Sequence, residues 1–210
     1  MPLLRFLRNT LLWAIPATLL WLAITPTYNR FLARAAENAV QLTESPNHTT
    51  LKRYDQHNFL IYRDDLQGQT STGHVSSVRV TSYHFMLIFT AAIFLGVPDT
   101  PLRRRLESLG WAALVSAFFH IGALLFRIKF IYATQLGSWS AEHYGAFGQN
   151  FWGLGRHLLD LPFRFALPLL LWSCFYLDRL LPDLVRSEAT GALPRTKRRL
   201  AKDSTNSPRD

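Results

Sequence analysis

Six residues carry the chemistry this sequence has to offer: His84, His120, Arg156, His157, Arg164 and Cys174. His120 sits in "SAFFHIGALLF" (116–126), with apolar residues on both sides. An ionisable side chain in such a stretch is costly to bury, so it is a functional candidate by default. As a general base, a metal ligand or a hydrogen-bond partner, imidazole is the side chain suited to all three roles. His84, in "SYHFMLIF", is the candidate to assist it. Arg156, His157 and Arg164 are the candidates for an anionic substrate or lipid head group, because guanidinium binds phosphate through two parallel donors. Each has a plainer role as well. A neutral His120 can bond a facing helix, with Tyr83, Ser173 or its own-helix neighbour Ser116 as partners, as polar groups commonly do in bundles. The arginines can be interfacial anchors.

Other chemistries find little support. No two of His84, His120 and His157 share metal-ligand spacing on one helix, so no metal site is assigned. Cys174 lies in "LWSCFYL" with no adjacent base or cation, the setting of an inert thiol. It is the only cysteine, which excludes an internal disulfide framework. Zinc-finger spacing, a glycine-rich phosphate loop, G-x-S-x-G and H-E-x-x-H are all missing, so no cofactor and no nucleic-acid partner is expected.

The elements that must position these residues are apolar blocks. Of 210 residues, 49% are hydrophobic, and the formal net charge of +9 gathers at the edges of uncharged runs. That distribution points to a lipid bilayer. Uncharged runs cover 10–28, 80–98 and 108–126, and a fourth, 161–177, carries only Arg164. At about 1.5 Å per residue, 19 residues nearly cross a hydrocarbon core of about 30 Å. The first block could serve as a signal peptide. Its length, Pro16 within it, and a small-x-small site (Ala33, Ala35) interrupted by Arg34 favour an uncleaved anchor.

Basic residues set the orientation. Arg5 and Arg8 precede the first block, Arg103, Arg104 and Arg105 fill the turn between the second and third, and "RTKRRLAK" (195–202) follows the fourth. With four crossings, all three groups share one side, which the positive-inside rule makes cytoplasmic. The arginine turn would contact anionic lipid there. The expected organisation is a cytoplasmic end and first span (1–28), an extracytoplasmic segment (29–79), and three further spans (80–183) enclosing an outer loop (127–160). A basic, disordered cytoplasmic tail (184–210) follows. His84, His120, His157, Asp160 and Arg164 then gather in the outer leaflet, with Arg127, Lys129 and Arg156 flanking it.

Within 29–79, six basic and five acidic side chains nearly balance. "NRFLARAAENAVQL" has helical spacing and extends the first helix outward; "NFLIY" and "VSSVRVTS" read as a pair of antiparallel strands, with the turn-rich "QGQTSTGH" between them. "NHT" (47–49) matches a glycosylation acceptor, relevant only in a eukaryotic secretory pathway. "GSWSAEHYGAFGQNFWGLGRH" (137–157) is glycine-spaced and aromatic, and reads as a surface loop that contacts a partner or lipid.

"VRVTSYHFMLIFTAAIFLGVP", then "RRR", then "SLGWAALVSAFFHIGALLF", resembles the small bacterial membrane proteins that accompany exosortases (exosortase H-associated-like), over roughly residues 5–183. The resemblance implies an amino-terminal anchor, a short extracytoplasmic segment with strands, a helix pair around a basic turn, and a last helix. It implies a bacterial inner membrane and an accessory role beside protein sorting or exopolysaccharide export. Exosortases themselves use Cys, Arg and His in that chain order. Here the order is His120, Arg156 or Arg164, then Cys174, which argues against sortase-type catalysis.

The expected fold is an all-α, multi-pass membrane protein of four transmembrane helices with a small extracytoplasmic α+β segment. The expected function is that of a non-catalytic accessory subunit with a membrane-protein partner. The alternative is a small intramembrane enzyme at the outer leaflet, with His120 as base, His84 assisting and Arg164 holding an anionic head group. A transporter or channel subunit is a third class, poorly served by so few buried polar groups.

Overall fold

A computed structural model of the chain describes residues 2–44, 46–55, 57–66, 74–81 and 84–180. The expected disordered tail (184–210), most of "QGQTSTGH" and Tyr83 lie outside the described residues. The molecule is mostly helical, with one small sheet. Helix α1 (Pro2–Gln41) runs for 40 residues and carries Pro16 and Pro26 within it. Strands β1 (Thr49–Arg53), β2 (Asn58–Arg63) and β3 (Ser76–Arg79) follow, with a single 3₁₀ turn (Asp64–Leu66) after β2. Then come α2 (His84–Leu95), α3 (Leu102–Thr134), α4 (Ser138–His143), α5 (Ala146–Asp160) and α6 (Pro162–Leu180).

Two of these helices, α1 and α3, are long and apolar enough to cross a membrane. The pair α5 and α6 meets the same test jointly, bent by 51° at its break. Helix α2 is apolar but has 12 residues, about 18 Å at the usual rise. The stretch expected as an outer loop (127–160) is instead largely helical. Helix α3 continues through Arg127 to Thr134, and α4 and α5 occupy most of the glycine-spaced aromatic segment. Two of its glycines, Gly153 and Gly155, lie where α5 approaches α3: a Cβ on Gly155 would fall on the ring of Phe126.

Helix α1 changes partners along its length. Its second half buries Leu32, Ala33, Ala36 and Val40, a one-face spacing, while Arg30, Arg34 and Asn38 stay exposed. That face packs on Phe59 and Ile61 of β2, on Val78 and Val80, and on Ala123, Leu124, Ile128 and Tyr132 of α3. The sheet is antiparallel in the order β1-β2-β3, with Leu51 opposite Ile61 and Phe59 opposite Val78. The edge strand β1, "TTLKR", was not expected from its composition. It is held by α1: Glu37 Oε2 accepts from the Leu51 amide at 2.8 Å, and Gln41 Nε2 donates to the Thr49 carbonyl at 2.8 Å. Open-edge groups are thereby bonded by side chains of a covering helix.

A second core lies at the other end of the helices, where Ile93, Phe94, Val97, Ala112 and Tyr176 are buried with Phe6 and Trp172 packed against them. Helix α2 lies antiparallel along α1. His84, at its start, bonds Asn29, and Gly96, just past its end, abuts Thr10. Arg105 closes the α2–α3 turn, donating from Nη1 to the Leu95 carbonyl at 2.6 Å and from Nε to that of Thr100 at 2.9 Å.

A Cβ at position 96 would stand 2.9 Å from the backbone N and Cα of Thr10. Backbone cannot yield as a side chain tip can, so Gly96→Val is expected to destabilise the helix pair by about 1–3 kcal/mol. Loss of folded protein at lower denaturing-detergent fraction, with α-helical circular dichroism as readout, checks this; unchanged resistance would contradict the close approach.

Candidate functional site

The spacing of Ser116, His120, Ala123 and Leu124 puts them on one buried face of α3. His120 is 0% exposed. Its Nδ1 lies 2.6 Å from the hydroxyl of Tyr28, on α1. One turn of contact away, His84 Nε2 lies 2.8 Å from Asn29 Oδ1. An amide oxygen only accepts, so Nε2 of His84 carries the proton and donates. Trp21 places its ring edge-on to both Tyr28 and His84, at 5.1 and 5.3 Å between centroids. The charge of Arg164, near the start of α6, reaches His120. Three of the residues singled out in the sequence, His84, His120 and Arg164, are therefore brought to one level of the bundle.

The other three are not part of that layer. Arg156 pairs with Asp160 on its own helix at 3.6 Å and lies 4.5 Å over the ring of Phe130. His157 lines an apolar recess of about 610 Å³ between α3 and α5, with Phe130, Phe147 and Phe151. Of the arginine turn, Arg104 is exposed and Arg103 makes an exposed i,i+4 pair with Glu107, while Arg105 is committed to the end of α2. Cys174 is exposed, ten residues along α6 from Arg164 and so about 15 Å away. Among the described residues, no group of three or more His, Cys, Asp or Glu is disposed to hold a metal ion.

The partner of His120 escaped the sequence. Tyr28 and Asn29 mark the end of the first uncharged block, and nothing in spacing says which helix faces which. A second polar cluster escaped it too, at the sheet end of the molecule. Glu44 follows α1, and its two oxygens accept from the amides of His48 and Thr49, from Thr49 Oγ1 and from Arg63 Nη1, at 2.8–3.3 Å. Arg63 also grips Asp65 through Nε and Nη2, at 3.0 and 2.8 Å. Its guanidinium lies 4.7 Å over the ring of Tyr132 and 4.5 Å over that of Trp139, two rings set edge to face. The outer face of Trp139 is covered in turn by His143, stacked at 4.2 Å. Lys129 of α3 approaches Glu44 Oε1 at 3.7 Å. One signal for Arg63 was present: in "NFLIYR" the period of two that buries Phe59 and Ile61 also turns Arg63 inward.

Burial opposes ionisation of Asp65, but the hydrogen bonds and charge of Arg63 outweigh it and hold the carboxyl below its usual range. Arg63, which burial would discharge, is kept charged by Asp65 and Glu44. A carboxyl depressed in the folded state adds stability above its unfolded value of about 3.9, and loses it as pH falls through the lower folded value. Acidification from pH 5 towards pH 2 is thus expected to loosen the sheet end, and Asp65→Asn to flatten that dependence. Amide exchange in β2 followed against pH is the measurement, and an equally steep profile in the variant would contradict it.

For the bundle layer, a double-mutant cycle with Tyr28→Phe and His120→Phe is expected to give a coupling of about 1 kcal/mol in detergent unfolding. A coupling near zero would mean that the two groups do not meet. No protein-family model, curated protein or solved structure matches the chain.

Proposed function

We propose that the chain crosses a bacterial inner membrane four times and acts as a non-catalytic accessory subunit of an envelope protein-sorting or exopolysaccharide system, in the manner of the exosortase-associated proteins it resembles. Several contacts support four antiparallel crossings. Along α1, Thr10 meets the end of α2 and Asn29 its start, so α2 runs antiparallel along the uncharged stretch of α1. Phe6, Phe94, Ala112 and Tyr176 meet at one end, and Tyr28, His84, His120 and Arg164 gather towards the other. The first end is also where Arg5, Arg8 and the arginine turn lie along the chain, so it is the cytoplasmic one by the positive-inside rule. The sheet and the Glu44–Arg63 cluster then face outward.

The observation that carries the accessory role is the pairing of the intramembrane polar groups with each other. Tyr28 with His120 and Asn29 with His84 tie α1 to α3 and α2, which is how polar side chains hold a bundle in lipid. A general base needs a proton to take from a substrate within reach; His120 is 0% exposed and gives Nδ1 to a tyrosine on a neighbouring helix. The surface offered to a partner is α5, which buries no residue and leaves Phe147 85% exposed beside Phe151 and Leu154.

A photo-reactive amino acid at Phe147, activated in cells, tests this. The expected outcome is one dominant protein adduct in the envelope. Adducts to lipid alone, together with loss of function in His120→Asn while the helices still pack, would move the assignment to an outer-leaflet enzyme with Arg164 as its anion clamp.

A further inference from the structure

Beside the Glu44–Arg63 cluster is a recess of about 400 Å³. Its wall includes Lys129, His48, His143, Tyr144 and Asp65. Formal charge inside it balances, Arg63 and Lys129 against Glu44 and Asp65, but the pairing is uneven. The side chains of Lys129, Glu44 and Arg63 are each 6% exposed, so three full charges are almost wholly withdrawn from water. Both oxygens of Asp65 are engaged by Arg63. Glu44 is engaged by Arg63 at 3.0 Å and by three neutral donors of residues 48 and 49. What remains for Lys129 is one long contact of 3.7 Å to an oxygen already shared with Arg63, and a glancing position 5.9 Å from the Tyr132 ring. An ammonium has three donors and needs a close anion when desolvated.

The rest of the wall supplies further polar atoms. Tyr144 is half-buried, and its hydroxyl makes no hydrogen bond to another described residue. The Nδ1 of His143 donates to the Trp139 carbonyl at 2.9 Å, which fixes the ring and leaves Nε2 of the neutral ring as an acceptor for a P–OH. His48 also lines the recess, its amide used by Glu44 and its imidazole free to offer a contact. A carboxylate would satisfy Lys129 alone. A tetrahedral group with three acceptor oxygens matches donors arriving from α3, from the end of α4 and from the segment before β1.

We infer that this recess binds a phosphate group on the ammonium of Lys129, with Tyr144, His143 and His48 as the surrounding contacts. The phosphate belongs either to a small soluble molecule or to a lipid head group reaching up from the bilayer surface. The site is separate from Arg156, His157 and Arg164, and it stands whether or not the chain serves as an accessory subunit.

The test uses the full chain in a neutral maltoside detergent and phosphate-free buffer at constant ionic strength. Inorganic phosphate is titrated while the thermal unfolding midpoint is followed. A saturable rise is expected, since a ligand that binds only the folded state raises the midpoint by mass action. Lys129→Met should weaken the half-saturating concentration by about tenfold or more, and Lys52→Met should leave it unchanged. If Lys129→Met fails to fold, Tyr144→Phe and His48→Gln take its place, each expected to weaken binding by about threefold to tenfold. A midpoint that ignores inorganic phosphate but rises with phosphatidic acid in the micelles, and not with diacylglycerol, in a Lys129-dependent way assigns the phosphate to a lipid. No rise with either probe, or a rise that all the variants share, overturns the inference.

Discussion

A polar side chain buried among apolar helices has to find its hydrogen bond inside the protein, and the Tyr28–His120 contact is where this chain meets that demand. The bond fixes the rotation of α1 against α3. Once Tyr28 points at His120, the next turns of the same helix present Leu32, Ala33, Ala36 and Val40 in the same general direction. The sheet packs on those residues. The packing of the bundle and the packing of the cap are therefore one alignment problem, solved by one helix.

At the far end of that helix, Glu44 takes over as organiser. Its carboxylate collects the first amides of the chain entering β1, the guanidinium that terminates β2, and the ammonium of α3. Three separate elements are tied through one acidic group, and its burial makes each tie matter more than it would in water. The rings of Tyr132 and Trp139, set edge to face, hold the guanidinium from two directions, and His143 stacked on Trp139 backs one of them.

Much of the helical pattern was legible because lipid imposes a crude rule. Uncharged runs of about 19 residues and basic edges located α1, α3 and the α6 region, and alternation located β2 and β3. What failed to show was local. Strand β1, "TTLKR", carries two basic residues in five and is held by Glu37 and Gln41 of α1, so its stability comes from a helix rather than from its own composition. The helical character of 127–160 was hidden by glycines, which read as loop residues in isolation, although Gly153 and Gly155 serve as points of close approach to Phe130 and Phe126. Of the polar residues singled out in the sequence, His84 and His120 both meet α1, through Asn29 and Tyr28. Tyr28, Asn29, Glu44 and Arg63 were invisible because depth says nothing about rotation, and hydrogen-bond partners are a matter of rotation.

The uninterrupted course of α1 has a mechanical consequence. Its 40 residues extend for about 60 Å, twice the thickness of a hydrocarbon core, and more than half of that length lies alongside the other helices or the sheet. Helices adapt to a thinner or thicker bilayer chiefly by leaning. A leaning α1 would carry the sheet with it like the arm of a lever, because β1 is strapped to Glu37 and Gln41 and cannot stay behind. Any change in the tilt of α1 is thus passed on to the sheet as a change in its position and attitude.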